Sequence, residues 1–189
     1  MVIFITGLLL FLGVHSISII NEDFRTRMVE KYKIGWKLIY SIISLVGIVF
    51  IAKGYASLRL EPVLLYTLPY WVRHLTYLLM LPVMVLFVVP YLPGKIKQVT
   101  KHPQLIAVKL WAFSHLLVNG MMADVILFGS FLIWAIIARV SFNKRETRPL
   151  PSLKPSKMND IIAIILGVAL TITFVLYLHS KLIGMPLVV

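Results

Sequence analysis

The chain has 189 residues, of which 60% are hydrophobic and only 14% charged, and its mean hydropathy is positive. That balance excludes a water-soluble globular domain and a disordered chain. In a soluble protein the net charge of +12 would raise nucleic acid as a partner, but here the basic residues fall between apolar runs. No aromatic-basic stripe accompanies them, so no nucleic-acid partner is expected, and the charges read as topology signals and contacts with anionic lipid head groups. The absence of cysteine removes disulfides, thiolate metal sites, iron–sulfur clusters and a cysteine nucleophile. Any metal must be held by His, Met or oxygen ligands.

Six apolar segments follow one another: Val2 to Ile20, Ile34 to Ala52, His74 to Tyr91, Pro103 to Asn119, Met122 to Val140 and Ile161 to Leu182. Each is close to the roughly 20 residues needed to cross a hydrocarbon core, the fourth being at the short end. None alternates with period two, so they are expected as helices, the only open-ended structure that satisfies its backbone in lipid. The N-terminus opens apolar without a basic n-region or a small-x-small cleavage site, and reads as a retained first span. The connections after spans one, three and five carry 13 Lys and Arg, and the opposite side carries 4. The fold class expected is therefore all-α, a polytopic membrane bundle of about six helices with both termini on the non-cytoplasmic side. The localisation that goes with it is the cell inner membrane, multi-pass, with the lipid bilayer as partner. Lys37 and Lys109 lie within spans near their basic ends and are expected to snorkel.

In domain terms, residues 1–140 read as a five-helix core, 141–160 as a basic, proline-containing cytoplasmic linker, and 161–189 as a C-terminal transmembrane helix set apart from the first five. Between spans two and three, Tyr55 to Arg73 is aromatic and proline-containing, which suits an interfacial lid. Asp124 opens the fifth span and is placed to cap it.

The residues that could carry chemistry centre on KHPQLIAVKLWAFSHLLVNG, Lys101 to Gly120. His102 precedes Pro103, so a helix should start at the proline, and Asn119-Gly120 is a turn signal. His115 then lies within a span, where an ionisable side chain is a functional-site candidate by default; the plain alternative is a hydrogen bond to a neighbouring helix. His15, in LLLFLGVHS, is the second anchor, with Phe11 and Ser18 on its face. Trp111 and Asn119 share the face of His115 at spacing four. Two imidazoles from facing helices of an apolar bundle suit axial ligation of haem iron, with Asn119 or a serine as the outer acceptor, although the pattern by itself leaves ligation and unrelated packing both open. Lys101 and His102, at a helix N-terminus, form a corner suited to a haem propionate, a phosphate or a lipid head group, or a plain solvated rim. His74 and His179 read as interfacial.

The segments FLGVHSISI, GWKLIYSIISLVGIVFIAKGY, HPQLIAVKLWAFSHLLVNG and VILFGSFLIWAIIAR resemble the NnrU family of multi-span membrane proteins, which includes the plant zeta-carotene isomerase. The resemblance covers roughly residues 7–140, and the HPQ-to-LWAxxH spacing is its most specific part. In the isomerase branch a b-type haem is held by two histidines, which match His15 and His115. The resemblance thus implies haem b as cofactor, with His15 and His115 as metal ligands and Lys101, His102, Trp111 and Asn119 around it. Bacterial members are associated with denitrification and the response to nitric oxide. The chain departs from the isomerase in lacking a long N-terminal extension, in carrying Lys53-Gly54-Tyr55 in place of a further histidine, and in having Ala112 in place of a cysteine. Haem binding is therefore better supported than isomerase activity, which would take a hydrophobic polyene such as a cis-zeta-carotene as substrate. No catalytic residue is assigned.

Two other classes compete. A basic-HP segment opening a late membrane helix also resembles S-adenosylmethionine-dependent membrane methyltransferases, but of their paired acidic motif only Glu146 is present. A cofactor-free assembly or sensor protein is the third reading. The haem reading carries one geometric demand. His15 lies about 8 Å from the basic end of span one and His115 about 18 Å from the same side. The depths agree if span one continues as helix through Asn21-Glu22-Asp23-Phe24, and it is expected to.

Overall fold

A computed structural model describes residues 1–144, 150–184 and 187 of the chain. Arg145, Glu146 and Arg148 of the linker lie outside the described residues. The helices are α1 (Val2–Ile20), α2 (Glu22–Lys31), α3 (Lys33–Leu58), α4 (Val72–Val88), α5 (Lys95–Thr100), α6 (Pro103–Leu116), α7 (Met122–Phe142), α8 (Met158–Thr173) and α9 (His179–Ile183). A single π-turn, Phe174–Leu178, joins α8 to α9, so the last apolar rod runs without a break from Met158 to Ile183. Five stretches among the described residues are long and apolar enough to cross a membrane: Val2–Ile20, Lys33–Leu58, Val72–Tyr91, Met122–Phe142 and Met158–Ile183. The buried residues mix large side chains such as Phe4, Val83 and Val89 with alanines, Ala107, Ala112, Ala135 and Ala163 being fully buried, while Ile34, Leu45, Ile165 and Leu182 are exposed. Many large apolar side chains outward, with small residues at helix contacts, suit a bilayer solvent. The protein is a multi-pass, all-helical membrane protein.

The expected fourth span is α6, which ends at Leu116 and has 14 residues. At 1.5 Å per residue it is about 21 Å long, shorter than the roughly 30 Å hydrocarbon core.

The chain divides into two compact units: residues 1–68 with 118–145, and residues 69–117 with 146–189. In the first, α1 and α3 pack antiparallel through a glycine seam. A Cβ on Gly54 would stand 2.6 Å from the Phe4 backbone, one on Gly7 2.6 Å from Ile51 N, and one on Gly47 2.9 Å from Phe11 N. Glycine here lets the two backbones approach, and Phe4 and Phe11 seat where a side chain on α3 would otherwise be. α7 runs parallel to α1: Phe131 meets Phe11 at 5.6 Å between ring centroids and Trp134 meets His15 at 6.1 Å. At the opposite end, Tyr55 of α3 donates to Asp124 of α7 at 2.5 Å. Asp124 is 3% exposed and also accepts from the Met121 N–H at 3.1 Å, the capping role its position predicts. Beside it the α3–α4 connection pairs with the start of α7. Met122 N–H donates to the Val63 carbonyl and Leu65 N–H to the Gly120 carbonyl, both at 2.8 Å. The aromatic lid expected over residues 55–73 is thus helical to Leu58 and then held by a short backbone pairing.

The expected continuation of α1 past Ile20 is not what the chain does. Asn21 takes an extended conformation (φ −149°, ψ 91°), closes α1, and caps a separate helix by accepting from the Phe24 N–H at 2.8 Å. Asparagine at this boundary, followed by Glu22 and Asp23 in the new first turn, is a strong helix-start signal that outweighs the apolar continuity.

In the second unit α4 lies between α6 and α8. Val83, Leu86 and Ala107 form the α4–α6 core, and Thr76 donates to the Ser114 carbonyl at 3.3 Å. These contacts make α6 antiparallel to α4. Gly167 of α8 sits against Val85, where a Cβ would be 2.5 Å from its Cα. The segment before α8 is sewn to the α4–α5 turn. Leu153 N–H donates to the Tyr91 carbonyl at 3.0 Å, and Ser156 N–H and Asn159 Nδ2 donate to the Pro93 carbonyl at 3.1 and 2.9 Å. Asp160 accepts from the Lys95 and Ile96 N–H groups at 2.7 and 3.1 Å, so a carboxylate from α8 caps α5.

Candidate functional site

His15 and His115 fall in different units, and each is described in its own surroundings. His15 is in the last turns of α1. Its Nδ1 lies 2.6 Å from the Phe11 carbonyl, four residues back. A carbonyl can only accept, so in the neutral ring the proton is on Nδ1 and the lone pair on Nε2. Phe11 stacks on the imidazole at 4.2 Å and 30°. Tyr40 of α3 tilts against it at 5.1 Å, and Trp134 of α7 stands edge-on at 6.1 Å and 86°. Three helices therefore build an aromatic box around one imidazole. The indole Nε1 of Trp134 is buried and has no hydrogen-bond partner. A buried donor without an acceptor is costly and rare in a native interior.

His115 repeats the same device in the second unit. Its Nδ1 is 2.8 Å from the Trp111 carbonyl, and its ring is 5.4 Å from the Trp111 indole. In both cases the aromatic residue four positions earlier gives the imidazole a backbone acceptor and a π-face. The spacing of Phe11 with His15 and of Trp111 with His115 is visible in the sequence; the shared tautomer is visible only in the structure.

The other expected site residues separate. Asn119 lies beyond the end of α6, so it does not continue the His115 face as spacing four implied. The helix stops at Leu116 because the next residues turn toward Gly120, and the Asn119 backbone carbonyl accepts from Tyr66 Oη at 3.2 Å. The acceptor expected of its amide is supplied to His115 by the Trp111 carbonyl instead. Lys101 and His102 join α5 to α6 in a tight three-residue turn, with His102 N–H donating to the Thr100 carbonyl at 2.6 Å. Lys101 takes φ 56° and ψ −51° there, a strained conformation for a residue with a Cβ. His102 and His115 stand at opposite ends of α6, roughly 20 Å apart along its axis. His74 packs against Tyr70 and His179 against Phe174, each within its own stretch of chain.

Tyr40 and Trp134 were not legible as site residues. Trp134 stands in a run of isoleucine and alanine, and nothing in its periodicity ties α7 to α1. Among the described residues no three His, Cys, Asp or Glu side chains gather in a way that could hold a bare metal ion. No curated protein and no solved structure matches the chain. A family model described as NnrU protein matches residues 3–187, nearly the whole length, and the chain belongs to the NnrU family.

Proposed function

We propose that this NnrU-family protein is a haem-b protein of the inner membrane, with His15 and His115 as its iron ligands, and that its role is redox-dependent or linked to nitric oxide. The observation that carries the reading is the arrangement shared by the two imidazoles. Each has Nδ1 fixed on the carbonyl of an aromatic residue four positions earlier, at 2.6 and 2.8 Å, which directs the lone pair of the neutral ring to Nε2. An outer partner that fixes the tautomer and raises basicity is the usual company of a ligating histidine. A bare metal ion asks the protein for three or four ligands, whereas haem brings its own equatorial nitrogens and needs only one or two imidazoles. The aromatic box of Phe11, Tyr40 and Trp134 supplies flat apolar surface suited to a macrocycle, and the unpaired Trp134 N–H marks a place where a bound group has an acceptor to offer.

When bound, haem would supply one-electron chemistry and an iron centre for small ligands. The chain's own part is to hold it dry, to fix the two imidazoles, and to set the charge around it. α1 ends at Ile20, so the depth of His15 is not extended by a longer first helix.

The test is the absorption spectrum of the purified full-length protein from haem-replete cells. A Soret band that shifts on dithionite reduction is expected, with stoichiometric haem by pyridine haemochrome. His15→Ala and His115→Ala should each lose the haem or change its ligation, and His179→Ala should not. A wild-type protein that neither carries nor takes up haem, or single mutants with an unchanged spectrum, would overturn the assignment.

A further inference from the structure

The second unit carries an open groove of about 530 Å³ that has no part in the histidine sites. That volume falls within the roughly 300–1,000 Å³ usual for small-molecule sites. Val88, Tyr91 and Leu92 from the end of the third apolar stretch line one side, Leu166 of α8 another, and Pro151 and Leu153 of the segment before α8 a third. Leu166 is eight residues into α8 from Met158, so the groove reaches about 12 Å up that helix, away from the connecting segment. Tyr91, Leu153 and Leu166 are exposed, and apolar walls that face a gap lose dispersion contacts unless something fills it.

The mouth of this groove is fixed and basic. Leu153 N–H donates to the Tyr91 carbonyl at 3.0 Å, and the carbonyl of the next residue, Lys154, accepts from Asn159 Nδ2 at 2.9 Å. Lys97 Nζ donates to the carbonyl of Pro90, the neighbour of Tyr91, at 3.1 Å. That bond sets an ammonium at the end of the groove, and an ammonium has three N–H donors to offer. Residues 88–101 and 150–166 carry Lys95, Lys97, Lys101, Lys154 and Lys157 against a single acid, Asp160. Both Asp160 oxygens are taken by the Lys95 and Ile96 backbone N–H groups, so the lysine charges are matched by no carboxylate turned toward them.

We propose that this groove holds one acyl chain of an anionic glycerophospholipid, with the phosphate at the mouth against Lys97 and Lys154. An apolar slot ending in cations has the complementarity of such a lipid, and basic pockets at the ends of membrane helices are a recurrent site for anionic head groups. The site is independent of the haem reading and lies wholly within the second unit.

The test is a titration of the delipidated full-length protein in detergent, read by native mass spectrometry, with phosphatidylglycerol and phosphatidylcholine of the same acyl chains. Wild type should bind the anionic lipid at least about tenfold more tightly, with each lysine contributing about fivefold. Lys97→Gln and Lys154→Gln should each lower the preference by about that factor, and the double variant should abolish it. Lys181→Gln, in α9 beyond the other end of α8, should leave it unchanged. Leu166→Trp, which fills the groove, should weaken both lipids alike, and Leu153→Gln serves if that variant does not fold. Equal affinity of wild type for the two lipids overturns the proposal, as does a preference that survives in the double variant or falls equally in Lys181→Gln. Unchanged binding of both lipids in the groove variants, or displacement of the bound lipid by an equal concentration of glycerol phosphate, also overturns it, because the acyl chain would then have no part.

Discussion

Tyr55 on α3 donates a 2.5 Å hydrogen bond to the Asp124 carboxylate on α7, across 69 positions of sequence. The carboxylate is buried at 3% exposure, and its second oxygen caps its own helix through the Met121 N–H. Both oxygens are thus engaged, which is what a buried carboxylate requires. The pair fastens the far end of α3 to the start of α7, beside the backbone pairing of residues 63–65 with 120–122. Tyr55→Phe should cost about 1.5–3 kcal/mol, the range for a bond to a charged acceptor. Asp124→Ala should cost more, because it removes the cap as well, and Asp124→Asn should fall between wild type and alanine. Thermal unfolding in detergent would rank them; a Tyr55→Phe midpoint equal to wild type would show that the bond adds nothing.

The glycine seam makes a second ranking. Gly54→Ala places a Cβ 2.6 Å from the backbone of Phe4, and backbone cannot swing aside as a side chain can. The helices must separate, at about 1–3 kcal/mol as for other overpacked cores. Gly13 and Gly129 have nothing within 4 Å of the added methyl. Gly13→Ala and Gly129→Ala should therefore be neutral or raise stability by up to about 1 kcal/mol, since alanine orders the helix at lower entropic cost. The contrast between positions 54 and 129 is the measurement. Equal destabilisation at both would mean that helix contact is not what the first glycine serves.

Asp160 ties the last helix to the α4–α5 turn by accepting from two N–H groups of α5. Asp160→Ala should cost about 0.5–2 kcal/mol as the loss of a cap. The segment ahead of it should then open, because Ser156 and Asn159 hold Pro93 only while α8 stays docked. Limited trypsin digestion reads this directly: cleavage after Lys157 should accelerate in Asp160→Ala and much less in Asp160→Asn, which keeps one acceptor.

Much of this architecture is legible in the chain because lipid permits few alternatives. Apolar runs of 17 residues and more announce their helices, Pro103 marks the start of α6, and Asp124 marks that of α7. Asn21 shows where the reading fails. A lone asparagine after the nineteen residues of a mostly apolar helix looks like a polar tail of the same helix, yet its side chain caps a new one. The partner of Asp124 could not be read at all, because a Tyr55 hydroxyl 69 residues away has no local signature. The same holds for Trp134 beside His15. Periodicity gives the face of a helix but not the helix it faces, and the small residues that decide the pairing, Gly47 and Gly54, look in sequence like ordinary interruptions. The route of residues 150–160 is equally hidden, since it is fixed by bonds to the backbone carbonyls of Tyr91 and Pro93.

The direction of α7 bears on how often the chain crosses the bilayer. α7 lies parallel to α1, since Phe131 meets Phe11 and Trp134 meets His15 in the same order. Helices that run parallel in a membrane must be crossings of the same parity. With α1 as the first crossing, α3 the second and α4 the third, α7 is an odd crossing only if α6 crosses too. The 14 residues of α6 are few for a bilayer, but the helix runs antiparallel along α4 from Ala107 beside Val83 to Ser114 beside Thr76. A short helix can cross where neighbouring helices shield its ends and the bilayer thins locally. The expected outcome is six crossings with both termini outside the cytoplasm, in line with the basic connections facing inward. Fusions at the C-terminus and at position 143 test it: alkaline phosphatase should be active at the first and inactive at the second, and green fluorescent protein the reverse. Phosphatase activity at position 143 would mean that α6 turns back without crossing, and that the parallel packing of α1 and α7 has been misassigned.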